Sequence, residues 1–307
     1  MLNKVDSLAR PLYWLPVFYS QYNHQFVQSK GEVTNAWWYC NGSNLFSGFH
    51  SPFGGFHANL SSSIQISADE VRKNLLNLRE NISFRKKNLS LKIRTYPEDV
   101  FSWWNPGQVL ALSQLGFREL YRETVHYIPI NGEYEYHWNR NRIREFRKTK
   151  EILSVHDAVS RNDKLSVFAI LNSDAASKGR KFPISEEHFS TMCEIFDSHN
   201  MNLFICLDKT TKLVVASAIC QIIDSKSVYV YRWGVLPARN NNNSSPITVL
   251  AHHIYNYYQG LGKDVLYLGS SSVNGTENTG LISFKESLGA QQSYSLIFDF
   301  DFGETFM

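Results

Sequence analysis

GLISFKESLGA, residues 280–290, places a lysine one residue past Phe284 and four past Leu281, just ahead of a Leu288-Gly289 stop. Wound as a helix, this stretch puts Lys285 at the edge of an apolar face. Its methylene stem would pack there while its ammonium reaches into a cleft. A cation so placed suits a phosphate, or an oxyanion developing on a carbonyl. That is the chemistry of acyl transfer to an amine, which needs a carbonyl held about 3–3.5 Å from the nitrogen. It also needs preorganised donors for the oxyanion and removal of the amine's proton. The competing reading is an ordinary lysine snorkelling beside the core.

A second anion site is written into residues 239–248. Pro246 fits a first helical turn and Ser244 or Ser245 its cap, leaving free backbone N–H groups around Ile247 and Thr248. With Arg239 upstream, these could hold a pyrophosphate or a 3′-phosphate; a solvent loop before a well-capped helix is the alternative. Arg142, Arg144, Arg147 and Lys148 share one short helical stretch. They could meet an anionic acceptor or tRNA phosphates, or form a solvated face. SPFGGF (51–56) sets Phe53, Gly54 and Gly55 in a turn that a ligand could approach closely, or in a simple tight turn. In YRWGV (231–235), Arg232 and Trp233 alternate faces, with Trp233 read as buried. The sequence has no H-E-x-x-H, G-x-S-x-G or P-loop motif. His252 and His253 are adjacent on a helix and diverge by about 100°, so no metal is expected.

The elements that must position these residues follow one plan twice. A strand AWWYC (36–40) leads to a helix with Val71, Leu75, Leu78 and Ile82 on one face. Then come the strand LSLKIR, a helix over 107–115 stopped at Leu115-Gly116, and the strand ETVHYIPI. In the second half, LVVASAICQII and SVYVYRWGV read as a hairpin. A helix striped by Ile247, Leu250, Ile254 and Tyr257 follows, then DVLYLG, the short helix of Lys285, and SYSLIFDF. Leu91 answers Val265 at 174 positions, and Gly116 answers Gly289 at 173. That constant offset implies tandem duplication. The uneven order of strands and helices predicts α/β architecture of the α+β type, with mixed sheets. Domains are expected over 1–138 and 139–307, with an Arg-rich helix opening the second. Phe189, Met192, Cys193 and Phe196 give a further helix face after an N-cap at Ser185.

The 307 residues are 43% hydrophobic and 19% charged, enough for two packed domains. A net charge of +3 does not by itself imply nucleic acid. Cys40, Cys193, Cys206 and Cys220 form no C-x-x-C pair, so they read as reduced core residues in a cytoplasmic protein. Arg10, Pro11 and Pro16 interrupt the N-terminal apolar run, so no signal peptide is expected, and no 18-residue apolar stretch occurs.

Taken together, SPFGGF, NRIREFRKTKE, and RWGV…AHHIYNYYQGLGKDVLYLGSSS…GLISFKESLGA resemble the FemAB-like proteins. These are double-domain members of the GNAT superfamily of acyl-CoA N-acyltransferases. The resemblance covers most of the chain beyond about residue 35. It implies two tandem GNAT domains and transfer of an acyl group to a small-molecule or peptide-like amine. Some relatives draw that group from acyl-CoA; others use aminoacyl-tRNA to extend a cell-wall peptide precursor. It implies a donor site on the second domain, placing Lys285 near the activated carbonyl. Arg232, Arg239, Ser244, Ser245, Ile247, Thr248 and Phe284 would then surround acyl-CoA or CoA. Phe53, Gly54, Gly55, Arg144 and Arg147 would serve the acceptor. Two departures stand out. The GNAT pyrophosphate loop Q/R-x-x-G-x-G/A is replaced by ARNNNNSSP, and the long charged arm of the staphylococcal bridge-forming enzymes is missing. These motivate two alternatives, an aminoacyl-tRNA-dependent transferase and a non-catalytic binding module.

Overall fold

The computed structural model describes residues 26–30, 34–41, 44–47, 57–58, 66–81, 89–98, 100, 106–195, 201–237 and 245–302. SPFGGF, Ile82, Phe196, Arg239 and Ser244 lie outside these residues. The chain divides into two compact units, neither of them one run of sequence. The first holds the described residues up to Val125, with Ser270–Thr279 and the chain from Gln292 onward. The second holds His126–Gly269 and Gly280–Gln291.

In the first unit, β1 (Phe26–Lys30), β2 (Thr34–Asn41) and β3 (Asn44–Ser47) form an antiparallel run. The short β4 (His57–Ala58) pairs with β2. The helix α1 (Ala68–Asn81) begins at Ser67, whose hydroxyl accepts the Glu70 N–H at 3.3 Å. Its Val71, Leu75 and Leu78 are buried, as their spacing predicts. Next, β5 (Leu89–Arg94) runs parallel to β3. The helix α2 (Pro106–Gln114) ends at Gly116, whose φ of +86° is a left-handed stop that glycine tolerates best. The strand β6 (Arg118–Pro129) then leaves the first unit and enters the second.

The second unit opens with a 3-10 turn over Tyr134–His137 and α3 (Arg140–Thr149), capped by the Asn139 carboxamide on the Arg142 N–H at 2.9 Å. It continues with β7 (Leu153–Asp157) and α4 (Arg161–Ser177), which starts in a Ser160–Asp163 capping box. Then come α5 (Glu186–Ile195) and β8 (Met201–Asp208). The predicted hairpin is β9 (Val214–Ile222) with β10 (Ser227–Val235). The helix α6 (Pro246–Gly260) buries Ile247, Leu250 and Ile254; Tyr257 is half-buried against the same core, and the fully buried positions extend to Tyr255 and Tyr258. The 3.6-residue turn carries the stripe round to those positions. The strand β11 (Val265–Ser270) is parallel to β10. A two-stranded turn, β12 (Ser272–Val273) with β13 (Thr276–Glu277), precedes α7 (Thr279–Ser287) and the last strand, β14 (Gln291–Phe302).

Each copy thus lays an antiparallel hairpin, a helix, a parallel strand and a short helix in the same order. The closing strands depart from the sequence expectation. SYSLIFDF does not close the second copy: β14 pairs antiparallel with β5 of the first, from Ile297↔Arg94 to Phe302↔Leu89. Reciprocally, β6 lies beside β11, and the Ile130 N–H reaches the Asp264 carbonyl at 2.7 Å. Periodicity names strands but not their partners, because hydrogen bonding between strands is blind to sequence distance.

Cys206 and Cys220 are buried and Cys193 is half-buried, all as free thiols. Burial pushes the Cys193 thiol up to about 11 and Cys206 to about 12. Among the described residues no helix is long and apolar enough to cross a membrane.

Candidate active site

Strands β10 and β11 pair only at Ser227↔Val265, Val228↔Leu266 and Tyr229↔Tyr267, then part. Two local features accompany the parting. A bulge interrupts β10 between Val230 and Arg232, which bends a strand and re-aims its side chains. On β11, Gly269 turns at φ +74°, and a Cβ there would stand 3.2 Å from the Tyr229 ring. Opposite, Gly234 lies so near α4 that a Cβ would meet that of Asp174 at 2.9 Å. The Asp174 carboxylate accepts the Val235 N–H at 3.3 Å and is held by Lys178 at 2.7 Å.

Around the parted strands stand Trp233, Gly269, Phe284 and Lys285. Trp233 is half-buried rather than fully enclosed, and meets Phe284 edge-on with ring centroids 6.1 Å apart. Arg232 is exposed. Lys285 departs from expectation: it is not a lysine with its head in a cleft but is 4% exposed, its Nζ donating to the Gly269 carbonyl at 2.8 Å. Burial disfavours the charged amine and lowers its pKa from 10.5 to about 7.

The duplication explains how a lysine comes to be inside. The helix stops at Gly116 and Gly289 share one hydrogen-bond pattern. Phe117 N–H bonds Leu112 O and Gly116 N–H bonds Ser113 O; Ala290 N–H bonds Lys285 O and Gly289 N–H bonds Glu286 O. Lys285 therefore occupies the place of Leu112, which is 0% exposed in the first core. One copy fills this position with a leucine, the other with an amine.

Near Lys285 along α7, Ser287 joins a second cluster. One guanidinium nitrogen of Arg142 donates to the Thr248 hydroxyl at 3.0 Å and to Glu145 at 2.8 Å; the other donates to the Ser287 hydroxyl at 2.5 Å. The Thr248 hydroxyl donates in turn to that of Ser245 at 2.9 Å. Ser245 holds the N-cap position of α6, but its hydroxyl accepts from Thr248 instead of from a backbone N–H. Arg142 thus ties together α3, the first turn of α6 and the end of α7. Within the run of cations no single one stands out; Arg142 becomes visible only through its partners. Ile247 is 8% exposed and belongs to the core beneath α6, so its side chain does not face a ligand.

Beside this cluster is a hollow of about 440 Å³ lined by Asn139, Asn141, Arg142, Arg144, Glu145 and Lys148. Arg144 is in its wall. Arg147 is exposed on the same helix, outside the lining. Arg140, Arg144 and Lys148 stand four residues apart in turn, a like-charge stripe that costs an isolated helix about 0.2–0.5 kcal/mol per pair.

The two histidines of α6 meet different neighbours. His252 pairs with Glu135 at 2.9 Å and lies against Phe146; His253 packs against Phe204 and Tyr257, and its burial lowers its pKa. Among the described residues no cluster of three potential metal ligands occurs.

No family model matches the sequence, and no curated protein matches it. Solved structures match its fold. FemX aligns with a TM-score of 0.66 over 92% of this chain and 89% of its own, at 10% identity. L-PGS from Bacillus licheniformis gives 0.61 over 96% and 93%, at 9% identity. A GCN5-related N-acetyltransferase from Kribbella flavida gives 0.51 over 92% and 93%, at 11% identity. The duplicated mixed-sheet plan, the parted strands β10 and β11 and these alignments agree: the chain has the FemAB-like tandem GNAT fold.

Proposed function

We propose that this protein is an N-acyltransferase, moving an acyl or aminoacyl group from an activated carrier to an amine. The observation that carries the reading is Lys285, an amine buried beside parted strands at a position its own first copy fills with leucine. Core lysines are rare because an ammonium is costly to desolvate. One enclosed where two strands part, its Nζ bonded to the Gly269 carbonyl of β11, is therefore a functional-site candidate.

In this reading the donor lies along β10 beyond Tyr229, with its carbonyl near Phe284 and Lys285. The acceptor nitrogen attacks that carbonyl, the carbon–nitrogen bond forms, and the carrier's sulfur or oxygen leaves and takes a proton. Lys285 titrates near neutrality, so it is suited to hold the proton exchanged in this step. Arg232 and Ser245 flank the donor's polar end, with Arg239 and Ser244 upstream; Thr248, 0% exposed and bonded through its N–H to the Ser245 carbonyl, holds Arg142 rather than a ligand. Phe53, Gly54, Gly55 and Arg147 are assigned to the acceptor, and Arg144, expected with them, lines the hollow on α3. Acyl-CoA is the donor favoured here, and a cytoplasmic setting fits the free thiols. The basic hollow on α3 supports a second reading, in which aminoacyl-tRNA is the donor and a cell-wall peptide precursor the acceptor.

Native mass spectrometry of the purified protein should find CoA or an acyl-CoA bound. Replacing Lys285 by the residue of the first copy, Lys285→Leu, should leave a folded protein whose turnover drops at least tenfold. Wild-type turnover in that variant would remove Lys285 from the chemistry.

A further inference from the structure

The first turn of α3 runs against helix electrostatics, whereas Arg147 and Lys148 in its last turn agree with them. A helix N-terminus is the positive end of the backbone dipole and favours acids. The first turn of α3 has none; Arg140 and Arg142 stand there instead. The one acid of the helix, Glu145, is taken by Arg142. Arg144 and Lys148 are left side by side on the like-charge stripe, and both line the hollow. Local rules broken without an internal remedy mark functional positions.

We propose that this hollow binds a phosphate group of a nucleotide, with Arg144 and Lys148 as its charged wall and Asn139 and Asn141 completing the polar lining. An anion there relieves the repulsion between the two cations, which the helix's one acid, paired to Arg142, does not. Arg142 assigns the phosphate to the acyl donor rather than to the acceptor. The same guanidinium that borders the hollow holds Thr248 at the start of α6 and Ser287 at the end of α7. Those two helices flank the donor in the reading above, and only this assignment rests on that reading. Two donors offer the chemistry: CoA carries a 3′-phosphate on its adenosine, and aminoacyl-tRNA carries a phosphodiester backbone.

Titration calorimetry of the full chain with adenosine 3′,5′-bisphosphate, CoA and an unacylated tRNA transcript tests this. The comparison is with Arg144→Gln/Lys148→Gln. Both side chains are outside the core, and an unchanged melting temperature confirms folding. At least one probe should bind the wild type, and the double variant should bind it at least tenfold more weakly. Weakened binding of the bisphosphate and CoA identifies CoA as the source. Binding of tRNA alone, with the slope of log K on log salt reduced by about two in the variant, identifies tRNA. If no probe binds the wild type, or the double variant binds as tightly, the hollow is not a phosphate site. Equal binding by the double variant leaves the role of Lys285 standing, and absence of binding by the wild type removes the donor reading as well. Wild-type turnover in Lys285→Leu would remove the catalytic role while leaving the binding result intact.

Discussion

Lys285 sets a stability signature that can be read apart from any activity. Its pKa falls from 10.5 in the unfolded chain to about 7 in the fold. Above both values the amine is neutral in each state and burial carries no charge penalty. As pH drops through that window the unfolded chain takes up the proton first, so the native state loses stability by at most about 1.4 kcal/mol per pH unit. Below about pH 7 both states are charged and the penalty is constant. Urea unfolding across this range should show the wild type weakening relative to Lys285→Leu as pH falls. A difference that stays flat with pH would mean the ammonium is hydrated. The sequence pointed to this lysine through its neighbours, Phe284 and the Leu288-Gly289 stop. It could not show the burial, because a helix edge becomes an interior only when another strand, here β11 at Gly269, closes over it.

At the scale of elements, the two glycine stops are the same motif in different surroundings. Gly116 has φ +86°, and an added Cβ would meet only the Phe300 ring, at 3.8 Å. Gly289 has φ +81°, and its Cβ would press on the Cβ of His137 and on its carbonyl oxygen. Gly116→Ala should cost about 1–2 kcal/mol, the strain of a left-handed residue with a side chain. Gly289→Ala should cost about 1–3 kcal/mol more, because overpacking is added. Denaturant midpoints of the two variants measure the difference, and equal losses would refute the crowding at His137. That turn matters for the site: the Tyr134 hydroxyl and Trp138 indole both donate to the Leu288 carbonyl, at 2.8 and 3.2 Å, fixing the end of α7 just past Lys285. The glycines were legible in the sequence as stops. What packs on them was not, since 150 or more residues separate the partners.

At the scale of the whole molecule, the exchange of closing strands predicts that the halves are not separable at residue 138. A chain ending at Gln291 lacks the partner of β5, leaving Leu91, Ile93 and their neighbours beside an open edge. It should aggregate, or show β5 losing amide protection from hydrogen exchange, while a peptide of residues 292–302 added in trans restores part of that protection. Normal protection of β5 in the truncated chain would show that β14 is dispensable. The sequence by itself determined the duplicated order of elements, the apolar faces of α1 and α6, the two stops and the candidate lysine, because periodicity and left-handed glycines are local properties of the chain. Only the tertiary structure decided which strand lies beside which, that Lys285 is enclosed, and that Arg142 joins three helices. Those outcomes depend on residues far apart in sequence meeting in space, where backbone pairing and desolvation are settled by the fold rather than by any one segment.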